Sequence, residues 1–156
     1  MKKLNLIVFC LMIFTTNCGF KVVDRSKLIN FDILDISSVG EKKINFNLKN
    51  KLMSNSYNNN NTQLRIKLNT TKKKSIKEKN IKNEITKYQI EIITSLEFEI
   101  INTKKKSNFL VKRISEYNVA DQYSQTLDNE KKLIKILTNS LSDDIYDELI
   151  IRVNAL

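Results

Sequence analysis

The chain has 156 residues, 27 Lys+Arg against 17 Asp+Glu, a formal net charge of +10, and no His, Pro or Trp. That length holds one domain of ordinary size. Without His the usual general base near neutral pH and the commonest metal ligand are missing. Two isolated glycines, Gly19 and Gly40, cannot build a phosphate-cradling loop, so binding and structural roles rank ahead of catalysis.

The first segment reads as an address. Lys2 and Lys3 form a positive n-region, and Leu4 to Phe14 is an apolar run broken only by Asn5. Such a run is too short for a bilayer-spanning helix, which needs ~20 apolar residues, and suits a signal peptide over residues 1–17. Cys18-Gly19 follows at once, as in a bacterial lipobox, although Thr15 and Asn17 occupy positions where such boxes favour Leu and a small residue. Cys18 is therefore the expected lipid-anchor residue, its thiol acylated. An ordinary signal peptide with an incidental cysteine is the plainer alternative. Cys10 would leave with the leader, so no internal disulfide is expected. Several acyl chains on one residue hold a protein stably at a membrane, and export removes cytoplasmic nucleic acid from the expected partners.

Residues 18–29 read as a tether and 30–156 as a single domain. Asn30 to Ser37 reads as a first strand with Phe31 and Ile33 on one face. Glu41 to about Tyr57 reads as a helix with two apolar stripes: Ile44, Leu48 and Leu52 at i, i+4, i+8, and Phe46, Met53 and Tyr57 nearly opposite. Two stripes suit either a sandwiched helix or one that meets a partner. The Asn58–Asn61 run ends it. Thr62 to Asn69 alternates as a second strand, and Thr70 to Asn83 reads as a polar, Lys-rich connection. Tyr88, Ile90, Ile92, Thr94, Leu96, Phe98 and Ile100 then hold every second position, a long strand of about 45 Å with one dry face. Asn102 to Asn108 reads as a basic turn. Phe109 to Tyr117 reads as a fourth strand whose apolar face is interrupted by Arg113. The remainder is one helix starting between Asn118 and Asp128, with Leu127, Ile134, Leu137, Leu141, Ile145, Leu149, Val153 and Leu156 on a single stripe.

The order β-α-β-β-β-α predicts a parallel crossover followed by an antiparallel meander. With one dry sheet face, the expected fold is a two-layer α+β sandwich: a four-stranded, mostly antiparallel sheet with two helices on one face.

Charge is uneven along the chain. Residues 65–113 carry 14 basic against 5 acidic side chains, and residues 114–156 carry 4 against 8. Lys72, Lys73, Lys74, Lys77, Lys79 and Lys82 form one cluster and Lys104, Lys105 and Lys106 a second. Ammonium groups suit phosphates, but Lys (23), Ile (21) and Asn (20) are abundant throughout, so for either cluster taken alone a solvated loop is the favoured reading. The two clusters fall on successive hairpin connections and should lie at opposite ends of the sheet, with the first away from the tether. Asp143, Asp144, Asp147 and Glu148 read as a solvated helix face, since a catalytic carboxylate pair needs a partly desolvated cleft. No spacing marks a Ser-Lys dyad, and neither a metal site nor a cofactor is expected.

These ordered features resemble the LPS-assembly lipoprotein family, LptE. The matching residues are Cys18-Gly19-Phe20, the alternating strand opening at Tyr88, the strand with Arg113 and Tyr117, Asp128-Asn129-Glu130 before Leu133-Ile134, and the Asp143…Asp147-x-Leu149-Ile150 run closing in Arg152-Val153. The resemblance implies a non-enzymatic, lipid-anchored protein on the periplasmic side of the outer membrane. Such a protein plugs and helps assemble the LptD β-barrel and binds lipopolysaccharide during its transport to the cell surface. The Lys72–Lys82 cluster is then the expected lipopolysaccharide-binding element. The rival expectations are another periplasmic lipoprotein, a pilotin-like accessory factor of a different outer-membrane machine, and an exported enzyme with an unusual Ser-Lys or carboxylate device.

Overall fold

A computed structural model describes residues 31–56 and 62–156. The signal peptide, Cys18, the tether, Asn30, Tyr57 and the Asn58–Asn61 run lie outside the described residues. The elements are β1 (Asp32–Gly40), α1 (Lys42–Ser54), β2 (Gln63–Lys79), β3 (Ile85–Ile100), β4 (Lys105–Asn118) and α2 (Tyr123–Ala155). They form one four-stranded sheet in the order β1-β2-β3-β4. β1 runs parallel to β2, and the other two pairings are antiparallel.

The alternation of β3 sets the dry face. Ile90, Ile92, Leu96 and Phe98 are fully buried, and Leu64, Ile66 and Leu68 of β2 extend that face. Thr94 is buried among them and shares a 3.0 Å hydroxyl bond with Thr70. Both helices cover this face. α1 brings Ile44, Leu48 and Leu52, and α2 brings Leu133, Leu137, Leu141, Ile145, Leu149 and Val153. Burying a leucine fully contributes ~1.5–3 kcal/mol, so the two stripes hold the helices down. Neither helix has a side-chain N-cap. The fold is the expected α+β sandwich.

Four boundaries differ from the sequence reading. The Lys-rich segment is not a connection: β2 continues through it to Lys79, because β3 offers a ladder partner at nearly every step from Leu64↔Ile100 to Lys79↔Ile85. Only residues 80–84 turn. Asn80 organises that turn, its Oδ1 accepting the backbone N–H of Lys82 at 2.9 Å and of Glu84 at 3.0 Å. The basic turn before β4 shrinks in the same way, since Lys105 and Lys106 pair with Ile100 and Glu99. In β1 the register slips between Ile33 and Asp35. This bulge at Leu34 returns Ile36 to the core beside Ile33. At the start of α2 the buried position is Leu133, with Ile134 only partly buried.

The second stripe of α1 is open to solvent, with Phe46 65% and Met53 40% exposed. At the entry to α1, Gly40 has φ +95°, and a Cβ there would stand 2.0 Å from the Thr70 carbonyl oxygen. Glu41 N–H donates to that same oxygen at 3.0 Å. The parallel join of β1 to β2 thus depends on a residue without a side chain. Gly40→Ala should cost at least roughly 2 kcal/mol of unfolding free energy, through strain and the lost β1 contact. Urea denaturation followed by circular dichroism checks this; an unchanged midpoint would refute it.

Candidate functional site

The outer half of the β2–β3 hairpin carries the nominated lysines. Lys72, Lys73, Lys74, Lys77 and Lys79 stand on β2, and Lys82 sits in the turn. β1 ends opposite Thr70, so from Thr71 onward no strand among the described residues pairs with this edge of β2, which is lined with ammonium groups. The second cluster lies at the other end of the sheet, as the hairpin order predicts. Lys105 there donates to the Leu156 carbonyl at the end of α2.

Strand alternation separates the six side chains. Lys72 and Lys74 share the helix-covered face with Thr70, and Lys73 lies on the opposite face. Lys72 Nζ lies 3.9 Å from Glu41, and Lys77 Nζ 3.3 Å from Glu116. Lys79 Nζ donates to the Asn83 amide oxygen at 2.8 Å, which leaves its charge uncompensated. Lys73, Lys79 and Lys82 form no ion pair among the described residues.

Lys74 is the most enclosed in its chemistry. Its Nζ donates to Glu130 Oε2 at 2.6 Å and stands 4.2 Å from the Tyr88 ring centroid. Tyr88 and Tyr117 stack at 5.7 Å, and the Tyr117 hydroxyl donates to the same Glu130 oxygen at 2.7 Å. Four elements therefore meet at one point: β2 gives Lys74, β3 Tyr88, β4 Tyr117 and α2 Glu130. Burial acts against the Glu130 charge, but the bonds from Lys74 and Tyr117 outweigh it and hold the carboxyl below its ordinary range. Burial likewise opposes the Lys74 charge, and the bonds to Glu130 and Tyr117 raise its pKa well above the usual lysine value. Burial, with the Glu130 carboxylate, pushes the Tyr117 hydroxyl up. The sequence hid this cluster because its members lie far apart in the chain. Only the even spacing of Lys74 from Thr70 and Lys72 hinted that it faces the helices.

Three of the four acidic residues singled out on α2 are tied down, and Asp147 stays exposed. Asp143 meets Lys51 of α1 at 2.7 Å, Asp144 grips Arg113 of β4 with both oxygens, and Glu148 holds Arg152 at 2.7 Å. Arg113 interrupts the apolar face of β4 because it reaches α2 at the sheet margin, and Asp144 raises its pKa.

Fold and side chains together define a two-layer α+β domain with a lysine-edged hairpin latched to its long helix. Two solved structures share this fold. A putative lipoprotein from Caulobacter crescentus aligns with a TM-score of 0.52 at 10% identity, covering 76% of this chain and 89% of its own. A minor lipoprotein from Acinetobacter baumannii aligns with a TM-score of 0.52 at 13% identity, covering 76% and 93%. No protein-family model matches the sequence, and no curated protein matches it.

The latch makes stability depend on pH with a definite sign. A carboxyl with a lowered folded pKa stabilises fully above its unfolded value near 4.5, and that contribution fades as pH falls through the folded pKa. Glu130→Gln should lower the urea midpoint at neutral pH and flatten the loss of stability as pH falls below the ordinary carboxyl range. Parallel acid limbs in the two proteins would refute the role of Glu130.

Proposed function

We propose that this chain is an outer-membrane lipoprotein, anchored through acylated Cys18, that plugs and helps assemble an LptD-type β-barrel and binds lipopolysaccharide on its way to the cell surface. The observation that carries this reading is the fold: one sheet with two helices on a single face, in the order β-α-β-β-β-α. That fold is shared with two lipoproteins, and in this sequence it lies downstream of a leader-like segment, residues 1–17, followed at once by Cys18-Gly19. Work by shape and charge suits the side chains. The hairpin offers a fixed row of cations to a phosphate-rich glycolipid, with an attraction that salt weakens over ~10 Å.

Within the row, Lys73, Lys79 and Lys82 are the residues best able to take a phosphate, because Lys72, Lys74 and Lys77 already face carboxylates. Changing Lys73, Lys79 and Lys82 together to Gln should weaken binding to purified lipopolysaccharide more than changing Lys72 and Lys77 does. Equal binding by both variants and the parent would dismiss the hairpin as a lipopolysaccharide site. The barrel partner is tested by affinity purification of the full chain from membranes: an LptD-type barrel should be recovered. Mass spectrometry of the same material should find acyl chains on Cys18, and an unmodified Cys18 would overturn the anchor.

A second reading is favoured by the internal pairing of Lys72, Lys74 and Lys77. A hairpin whose cations are used to hold its own fold suits an accessory lipoprotein of a different outer-membrane machine, with no glycolipid ligand. Recovery of a secretin or another barrel in place of the LptD type would support it.

A further inference from the structure

The two helices run side by side in the same direction: Lys51 of α1 reaches Asn139 and Asp143 of α2, and one turn on the Tyr146 hydroxyl donates to the Asn55 carbonyl at 3.1 Å. Above the Lys51 tie they leave a groove of about 580 Å³ on the outer surface of the helix layer. Its apolar base includes Ile44 and Ile134. Its walls include Lys43, Lys51, Lys131 and Lys135, and no carboxylate lines it among the described residues.

Sequence spacing builds this lining. Lys43, Asn47 and Lys51 recur every fourth residue along α1, and Lys131, Lys135 and Asn139 do so along α2, so each helix presents one row to the gap. Lys51 is compensated by Asp143 at 2.7 Å, and Lys131 lies 3.6 Å from Asp128. Lys43 and Lys135 have no ion pair among the described residues. The groove follows directly on the hairpin, since Lys43 lies two residues after Glu41 and Lys131 one after Glu130, the acids that face Lys72 and Lys74.

We propose that this inter-helix groove binds a phosphate-bearing acyl amphiphile, with the chain laid along Ile134 and the lysine stems and the phosphate among Lys43, Lys131 and Lys135. Charge complementarity selects the head group, because Lys43 and Lys135 face each other across the gap with no carboxylate partner among the described residues. Lysine stems add apolar wall while their heads stay in water. Size selects a small ligand over a partner helix. The volume lies within the ~300–1,000 Å³ of small-molecule sites, whereas a stable protein partner covers ~800 Å² on each side. The ligand class rests on the glycolipid reading above. The barrel purification can succeed while this groove fails, and the reverse.

The test is photo-cross-linking of the full-length protein in neutral maltoside detergent, with a diazirine-bearing dodecyl phosphate as probe and mass spectrometry to map the labelled peptides. Label should fall on α1 and on residues 131–139 of α2. Changing Lys43, Lys131 and Lys135 to Gln should cut the yield at least about tenfold, with the thermal unfolding profile kept. Changing Lys73, Lys79 and Lys82 to Gln should leave the groove label intact. Competition by lipopolysaccharide or by phosphatidylglycerol vesicles supports the site and identifies which source supplies its ligand. Label confined to the hairpin, equal labelling of the triple groove variant, full competition by inorganic phosphate, or displacement only by an acidic peptide would each overturn the proposal.

Discussion

β2 and β3 stay paired from Leu64 and Ile100 at one end of the sheet to Lys79 and Ile85 at the other, and the rest of the molecule is hung on that ladder. Its buried face supplies the surface that both helices cover. Its two outer edges receive β1 on one side, as far as Thr70, and β4 on the other, along nearly the whole length. The Thr70–Thr94 hydroxyl bond lies close to the midpoint. On one side of it the core is apolar and four strands wide, with Phe31, Phe98 and Phe109 among the aliphatic residues. On the other, the covering contacts turn aromatic and ionic, with Tyr88, Tyr117, Lys74 and Glu130 taking the place of leucines and isoleucines. A single strand pair thus joins a stable base to a polar extension, with the register slipping only near the tip, between Ile76 and Lys79.

Much of this was legible in the sequence, and for identifiable reasons. The period of two from Tyr88 to Ile100 and the period near four from Leu137 to Val153 are set by burial against one surface, so they could be read directly. The limits of β2 and β4 could not. Lys72 to Lys79 has no apolar alternation, and its extended form comes from β3, a partner distant in the chain. Phe31, Ile33 and Ile36 break the strand period, and only the bulge at Leu34 reconciles them with one face. The Lys74–Glu130–Tyr117 contacts join positions 56 and 13 residues apart, which no local pattern encodes. The inter-helix lysines carried a faint signal in their fourfold spacing, hidden by the abundance of lysine throughout the chain.

The uneven charge along the chain acquires a meaning in three dimensions. The basic middle segment forms strands and the acidic final segment forms the helix laid across them. Glu130 meets Lys74 and Asp144 meets Arg113, while Asp143 reaches over to Lys51 of α1. Exposed pairs of this kind contribute only ~0–1 kcal/mol each. Their value lies in register, since sliding α2 by one turn would set its carboxylates against the wrong partners. What remains after this internal matching is a smaller set of unmatched cations, on the hairpin and between the helices. Those residues give the surface its capacity to attract an anion.

The strand that outruns its neighbour has one more consequence. From Thr71 to Lys79 the backbone of β2 presents unmatched donors and acceptors along its outer side, a template on which another chain could crystallise as a fifth strand. Two copies meeting there would bring lysine rows face to face, and like charges in direct opposition repel. The lysines along this margin therefore act as a lock against self-polymerisation, and an open sheet margin becomes compatible with a single particle.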